Sequence, residues 1–221
     1  DRPSSPAAPL LPAQAALSPE SLASPQPLLP ARAATPGDVV APRVVAEGLP
    51  PDNDEARALA PSLDAEGRAR HHIRSFALRG QRLTDAQREA WERLLPRHAL
   101  AYQAAPTDLR GAFEGADPAV PLVLEIGCGM GATTAAIAAG DPARNFIGIE
   151  VYTAGIGSLL RQIDELALSN LKLIQHDAVE VLRDMVPPAS LDAVHIFFPD
   201  PWHKARHHKR RLIQPPLVAL L

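Results

Sequence analysis

The sequence predicts an α/β fold built around a parallel, doubly wound sheet. Four short apolar runs have the length and composition of buried strands. These runs cover residues 121–126, 145–151, 171–174 and 191–198. Helical patterns lie between them, over residues 133–139, 154–168 and 179–185. Strands that alternate with helices form parallel sheets covered on both faces, and such sheets bind ligands at the carboxyl ends of their strands.

The first 67 residues differ in composition from the rest of the chain. They hold 13 of the 24 prolines and nine Asp and Glu against four Lys and Arg, and no aromatic residue precedes Phe76. A segment so poor in large apolar side chains cannot bury enough surface to offset the entropy lost on ordering. We therefore predict a disordered Pro/Ala-rich tail over residues 1–67. The folded part, residues 68–221, begins with an N-terminal extension at about residues 68–119.

A helix is predicted within this extension, over residues 85–95. Thr84 and Gln87 have the spacing of a capping box, in which each side chain satisfies a backbone amide at the helix start. Apolar residues follow at helical spacing from Trp91 onward, and Pro96 marks the expected end.

The composition excludes several classes of protein. The single cysteine, Cys128, leaves neither an internal disulfide nor a cysteine zinc site. No apolar run approaches the length of about 18 residues that indicates a membrane-spanning helix, and no signal peptide is recognisable. A reducing compartment fits this pattern. We predict a cytoplasmic protein without a metal site, whose oligomeric state stays open with a monomer favoured.

An acidic residue stands at the end of each of the four predicted strands. These residues are Glu125, Glu150, Asp177 and Asp200, at separations of 25, 27 and 23 residues, about one strand–helix unit each. All four are expected in the ligand crevice of the sheet. From its position, Glu150 would accept hydrogen bonds from ribose hydroxyls. Asp177 would accept one from an adenine amino group, with a helix N-cap as the other interpretation.

A glycine loop containing Gly127, Gly129 and Gly131 directly follows the first predicted strand. Glycine permits a sharp turn and lets a ligand approach the backbone. The loop fits a dinucleotide fingerprint, but Glu125 lies two residues earlier and would repel a pyrophosphate. S-adenosylmethionine carries a sulfonium and an ammonium and has no phosphate, so the same carboxylate would attract it. We therefore favour S-adenosylmethionine over NAD as the cofactor.

The segment after the fourth predicted strand is expected to contact the substrate. Pro199 and Pro201 bracket Asp200 and stiffen the turn. Asp200 is therefore expected to face the transferred methyl group and the incoming base. Trp202 would either stack on that base or pack beneath the loop, and the sequence does not decide between these alternatives.

A basic run occupies residues 203–211, with five Lys and Arg and three His. Such runs are usually solvated surface, but this one begins three residues after Asp200. We predict that it contacts RNA phosphates and makes binding strongly salt-dependent. The residues expected to contact substrate or RNA are Lys204, Arg206, His207, His208, Lys209, Arg210 and Arg211. Two adjacent histidines would point apart, which argues against a metal site.

These motifs resemble those of the bacterial tRNA (guanine-N7-)-methyltransferases. The resemblance covers about residues 71–216 and is most specific at Phe-Pro-Asp-Pro-Trp-His-Lys, residues 198–204. It implies a Rossmann-like class I methyltransferase fold with S-adenosylmethionine as cofactor. It also implies methylation of guanine N7 in the variable loop of tRNA, at position 46. The family has further strands and substrate contacts beyond the point that corresponds to Leu221, so the chain is expected to be C-terminally truncated.

Carried over by position, the resemblance implies that the four strand-end acids contact the cofactor and that Asp200 is catalytic. Lys204 would contact the substrate, and residues 206–211 would contact RNA. Two alternatives stay open. One is an RNA methyltransferase that acts on an exocyclic base amine, whose acid-Pro-Pro-aromatic loop has one proline more than this turn. The other is a non-catalytic RNA-binding subunit with a relict cofactor pocket.

Overall fold

The computed structural model describes residues 39–43, 74–77 and 82–221. Within them, parallel strands form one sheet in the order β1-β4-β3-β2-β5. The strands are β1 (Ala99–Leu100), β2 (Leu122–Ile126), β3 (Asn145–Ile149), β4 (Leu171–Ile174) and β5 (Ala193–His195). The α-helices are α1 (Asp85–His98), α2 (Ala132–Gly140), α3 (Thr153–Glu165), α4 (Ala178–Asp184) and α5 (Pro215–Val218). The predicted parallel α/β fold is confirmed.

The direction of chain progression reverses beside β2. From β2 the chain steps outward to β3 and β4, and it then returns to place β5 against the other edge of β2. Connections on the two sides of such a reversal diverge, and the gap between them is where ligands of these sheets bind. The topology therefore places a crevice at the carboxyl ends of β2 and β5.

Alternating side chains divide the core between the two faces of the sheet. Val123, Phe146 and Leu171 pack against one group of helices, and that cluster includes residues of α1, α2 and α3. Leu124 and Ile147 face the opposite side and share a cluster with residues of α4 and α5. Because both faces are covered, the strands are apolar almost throughout, which explains why continuous apolar runs predicted them.

Helix α1 begins as predicted and ends later than predicted. The capping box is present: the Thr84 hydroxyl accepts from the Gln87 amide at 3.3 Å, and the Gln87 side chain accepts from the Thr84 amide at 2.9 Å. Pro96 lies inside the helix instead of ending it. The last turn is tied to β4, because Lys172 donates to the Arg97 carbonyl at 2.8 Å. Tertiary contact therefore extends the helix past its local stop signal.

Two short strands differ from the prediction. Strand β1 was not predicted, since Ala99–Leu100 is too short to show a periodic pattern and directly follows α1. Strand β5 covers Ala193–His195, whereas the apolar run predicted residues 191–198. Phe198 has a φ of 48°, which lies in the left-handed region and cannot continue a strand. The chain thus leaves the sheet before it reaches the Pro-bracketed turn.

Residues 39–43 join the folded part of the chain through their backbone. The Val40 amide donates to Pro106 at 2.8 Å, and the Val40 carbonyl accepts from Asp108 at 2.9 Å. The prediction of a disordered tail is therefore wrong for these five residues. Backbone pairing of this kind leaves no signature in side-chain composition, so the sequence could not show it. The rest of residues 1–67 lies outside the described residues. No helix in the described ranges is long and apolar enough to cross a membrane.

Candidate active site

A cavity of about 410 Å³, here called the acidic cavity, opens at the carboxyl ends of the strands. Its carboxylates are Glu150, Asp177 and Asp200, and among the described residues neither Lys nor Arg lines it. The remaining wall is largely apolar and includes residues 75–77 and the turn that follows β5. A cleft lined by one sign of charge concentrates ligands of the opposite sign. This cavity therefore suits a cationic ligand.

Glu150 follows β3 and is held by backbone amides. Its Oε1 accepts from Val151 at 2.7 Å and Tyr152 at 2.9 Å, and its Oε2 accepts from Gly129 at 2.7 Å. Burial raises the pKa of the Glu150 carboxyl, and these three hydrogen bonds oppose the shift. A carboxylate has about four lone-pair sites, so Glu150 keeps acceptor capacity toward the cavity.

The glycine loop has left-handed backbone at three positions, with φ of 78° at Gly127, 57° at Gly129 and 84° at Gly131. Gly127 and Gly129 line the acidic cavity, whereas Gly131 lies outside its lining. Instead, a Cβ on Gly131 would lie 2.6 Å from Leu159 of α3. Gly131 is therefore needed for packing against α3. The sequence interpretation had assigned it a cofactor contact and did not predict this packing.

Four of the five amides of this loop are already used within the protein. Gly127 and Cys128 donate to the Ile149 carbonyl at 2.8 and 3.3 Å, Gly129 donates to Glu150, and Gly131 donates to Cys128 at 2.9 Å. A loop that cradles phosphate needs free amides directed at the ligand. Because four of the five amides of residues 127–131 are bonded within the protein, this loop is poorly suited to a pyrophosphate.

Glu125 lies within β2, behind the acidic cavity and outside its lining. Its Oε1 accepts from the Thr134 hydroxyl of α2 at 2.9 Å. Burial raises the pKa of the Glu125 carboxyl, and the Thr134 hydroxyl opposes that shift. His195 stands opposite Glu125 in the sheet, and its Nδ1 is buried without a hydrogen-bond partner among the described residues. The structure thus places Glu125 as a support of the loop–helix junction.

Asp177 is a helix cap at the edge of the acidic cavity. It is the N-cap of α4, where its side chain accepts from the Val179 amide at 2.9 Å. It also lines the acidic cavity. Asp177 therefore caps α4 and also borders the space that a ligand of the acidic cavity would occupy.

His176 lines the same cavity and was not predicted as a site residue. Its Nε2 lies 2.6 Å from Glu180 Oε2, and its ring stacks on Tyr102 with centroids 3.7 Å apart. Burial lowers the pKa of His176, although Glu180 opposes the shift. The one sequence signal was its place directly before Asp177, and a lone histidine there carries little information.

A second cavity of about 520 Å³, here called the basic cavity, adjoins the first. Its lining consists of Ala77, Asp200, Pro201, Trp202, His203, Lys204 and His207. Ala77 and Asp200 belong to both cavities. Asp200 therefore stands at the boundary between a space lined by carboxylates and a space lined by a lysine and two histidines.

The turn that carries Asp200 is bracketed by strained residues. Phe198, two positions before it, has a φ of 48°, and Trp202, two positions after it, has a φ of 42°. Such conformations cost on the order of 1–3 kcal/mol each for residues other than glycine and cluster at functional sites. Phe198 is also 99% exposed at the rim of the acidic cavity, a feature that sequence reasoning missed.

Most of the basic run is exposed. Residues Ala205–Arg210 form a 3₁₀ helix. The side chains of Arg206, His208, Lys209 and Arg211 are exposed, and Lys204 lines the basic cavity. In the described part of the chain, no group of three or more His, Cys, Asp or Glu side chains is arranged to hold a metal ion.

Arg210 departs from this pattern and points inward. Its Nε donates to the Arg74 carbonyl at 3.1 Å and its Nη2 to the Phe76 carbonyl at 2.7 Å. Its guanidinium lies 3.8 Å from the centre of the Trp202 ring, and the Trp202 Nε1 donates to the Ser75 carbonyl at 2.8 Å. Of the two interpretations of Trp202, the structure thus favours packing beneath the loop.

The sequence of this chain is similar to those of named methyltransferases. Residues 119–221 match a family model described as "Putative methyltransferase". The chain is 51% identical to the tRNA (guanine-N(7)-)-methyltransferase of Bordetella pertussis, over 79% of this chain and 68% of that protein. It is 53% identical to the protein of the same name from Burkholderia cenocepacia, with the same coverage. The Methylobacillus flagellatus protein of that name is 57% identical over 72% of this chain and 66% of its own length.

Proposed function

Because this chain belongs to the tRNA (guanine-N(7)-)-methyltransferase family, we propose that it methylates guanine N7 in the variable loop of tRNA, at position 46, with S-adenosylmethionine as the methyl donor. The observation that carries this proposal is the place of Asp200 between two cavities of opposite character. We assign the cofactor to the acidic cavity and the target base to the basic cavity. A tRNA substrate implies that the reaction takes place in the cytoplasm.

The acidic cavity fits S-adenosylmethionine by charge and by hydrogen-bonding groups. The cofactor is cationic at its sulfonium and ammonium groups, and three carboxylates line the cavity. Glu150 would accept from the ribose hydroxyls, as acids at the end of a second strand do in related sheets, and Asp177 from the adenine amino group. NAD fits poorly, since its pyrophosphate would meet the same carboxylates and a loop in which four of the five amides are already bonded.

Glu125 would act on the cofactor indirectly. Its carboxylate holds Thr134 in the first turn of α2, directly after the glycine loop. We propose that this bond fixes the loop on which Gly127 and Gly129 line the cavity. Its negative charge would also add to the field that favours a cationic ligand.

Asp200 would stabilise charge at the reacting base. When bound, the cofactor supplies an electrophilic methyl group. Guanine N7 has a free lone pair, so no proton has to be removed before it attacks, and the main task of the protein is alignment. The methylated base is positively charged, and a carboxylate at the boundary of the two cavities is placed to stabilise that charge as it develops.

The exposed part of the basic run would bind the tRNA backbone. Lys204 is placed to meet the substrate at the basic cavity, and Arg206, Lys209 and Arg211 extend the positive surface beyond it. Contacts of this kind supply affinity without reading sequence and weaken steeply with salt.

The proposal is tested by methyl transfer from tritiated S-adenosylmethionine to tRNA, followed by digestion to nucleosides. We expect 7-methylguanosine, and no product from a tRNA in which the guanine at position 46 is replaced. A methylated adenosine or cytidine amine would favour the exocyclic-amine alternative. Cofactor and tRNA binding without any transfer would favour a non-catalytic subunit.

A further inference from the structure

Residues 74–77, here called the strap, are held by two side chains that lie more than 120 residues later in the sequence. Three consecutive carbonyls, those of Arg74, Ser75 and Phe76, accept hydrogen bonds at 3.1, 2.8 and 2.7 Å. The donors are the guanidinium of Arg210 and the indole of Trp202. A row of three carbonyls bound in this way fixes the path of the strap.

The strap forms part of the wall of both cavities. Ser75, Phe76 and Ala77 line the acidic cavity, and Ala77 also lines the basic cavity. Its four residues belong to neither helix nor strand. No backbone-to-backbone hydrogen bond joins them to the other described residues. Among the described residues, Trp202 and Arg210 are the ones whose side chains donate hydrogen bonds to the strap backbone.

Arg210 is well suited to this task. Hydrogen bonds from a charged donor are stronger than neutral ones, and Arg210 directs two of them at the strap. Its guanidinium also lies on the Trp202 ring at 3.8 Å, within the range of a cation–π contact. Arg210 is half-buried, whereas its neighbours Lys209 and Arg211 are exposed. Within the basic run, Arg210 is therefore the arginine that donates to the strap, whereas Arg211 donates to the Pro201 carbonyl at 2.9 Å.

We propose that Arg210 and Trp202 are positioning residues that hold the strap as a wall of the cofactor site. Arg210 would then serve cofactor binding, in contrast to the RNA contact that the charge run predicted for it. This inference rests on the proposed function in one respect, namely that the acidic cavity holds S-adenosylmethionine. Trp202 lies two residues after Asp200, so the same contacts also join the cofactor wall to the turn that faces the base.

The test compares Arg210→Ala with Lys209→Ala, which removes the same charge from an exposed neighbour. Cofactor affinity is measured by equilibrium dialysis with S-adenosylmethionine, and tRNA affinity by filter binding over a series of salt concentrations. We expect Arg210→Ala to weaken cofactor binding about tenfold or more, equivalent to about 1.4 kcal/mol. Its KM for the cofactor should rise far more than its kcat falls. Lys209→Ala should weaken tRNA binding and leave cofactor affinity as in the wild type.

Trp202→Phe provides a second, milder variant that leaves every positive charge in place. It removes one donor to the strap while keeping an aromatic ring for Arg210. Cofactor affinity should therefore fall by a smaller factor than in Arg210→Ala, and the salt dependence of tRNA binding should stay unchanged. Wild-type cofactor affinity in both variants would overturn the inference and leave the proposed function standing. A wild-type chain that binds no S-adenosylmethionine would overturn both.

Discussion

The two sides of the site are held in place by different kinds of contact. On the cofactor side, Glu150 and Asp177 accept hydrogen bonds from backbone amides one or two residues away, with a further bond from the glycine loop to Glu150. On the substrate side, the turn around Asp200 is exposed. It is anchored by Trp202 and Arg210, which reach carbonyls more than 120 residues distant in sequence.

The difference shows how one site can be rigid on one side and adaptable on the other. Backbone amides at strand and helix ends are fixed as soon as the sheet forms, so the cofactor-side acids are positioned by the fold itself. The substrate side depends on a few side chains over an irregular segment, which is the usual location of binding residues on a rigid scaffold. Substitutions of the acids should therefore have separable effects on the two sides, whereas Trp202 and Arg210 connect them through the strap.

The largest effect is expected from Asp200→Asn, which keeps the shape of the side chain and removes its charge. If Asp200 stabilises the charge that develops on the base, kcat should fall on the order of 100-fold or more. Cofactor affinity should change much less, because the two more buried acids remain. Single-turnover methyl transfer together with equilibrium dialysis measures both quantities. Undiminished turnover would contradict the proposed role.

Glu150→Gln should have the next largest effect, on cofactor affinity and on stability. An amide has one acceptor oxygen, whereas both oxygens of Glu150 accept from backbone amides. At least one buried donor would then lose its partner, at a cost of about 1–3 kcal/mol. Thermal unfolding and dialysis with S-adenosylmethionine test this expectation.

Asp177→Asn is the matched control for that variant. Asn caps a helix about as well as Asp, so the melting temperature should stay near the wild-type value while cofactor affinity falls. An equal loss of stability in the two variants would contradict the distinction between them.

A smaller effect is expected from Arg206→Ala, on the substrate side. Arg206 is exposed, and its Nε donates to Nε2 of the neighbouring His207 at 3.3 Å. Loss of one phosphate contact should lower tRNA affinity severalfold and reduce the slope of log affinity against log salt by about 0.7–0.9. Filter binding at several salt concentrations measures the slope, and an unchanged slope would remove Arg206 from the RNA-binding surface.

The smallest effect is expected from Glu125→Gln, on stability and its pH dependence. Burial raises the pKa of Glu125 in the folded state. Its contribution to stability is therefore fully present below the unfolded pKa and is lost as the pH rises through the folded pKa. The uncharged variant should melt a few degrees higher than the wild type at neutral pH, with a difference that shrinks on acidification. A difference that grows at low pH would contradict this assignment.

The sequence predicted most of the fold because its signals are local. The apolar runs of β2, β3 and β4 and the capping box at Thr84 each depend on residues within a few positions of one another. Glu150, Asp177 and Asp200 could also be placed, since each follows a recognisable strand and lines the acidic cavity, whereas Glu125 lies within β2 and outside that lining. By contrast, β1 is too short for any pattern, and β5 ends at His195 although the apolar run continues to Phe198.

Side-chain direction was the part that the sequence could not predict. A run of positive charges gives the number of cations and not their orientation, so Arg210 was grouped with its exposed neighbours although it points toward the strap. Gly131 was interpreted as a ligand contact because its packing partner, Leu159, lies on another helix. Both cases depend on contacts between distant segments.

The position of Trp202 also gives the protein an internal optical probe. The chain has two tryptophans, and the other, Trp91, is 3% exposed within α1. Trp202 lies beside Arg210 and His207 at the meeting point of the strap and the basic cavity. Indole emission responds to neighbouring charge and to solvent, so fluorescence changes on adding cofactor or tRNA should arise mainly from this ring. In a Trp91→Phe background, one emission signal would follow both binding events in real time without a label.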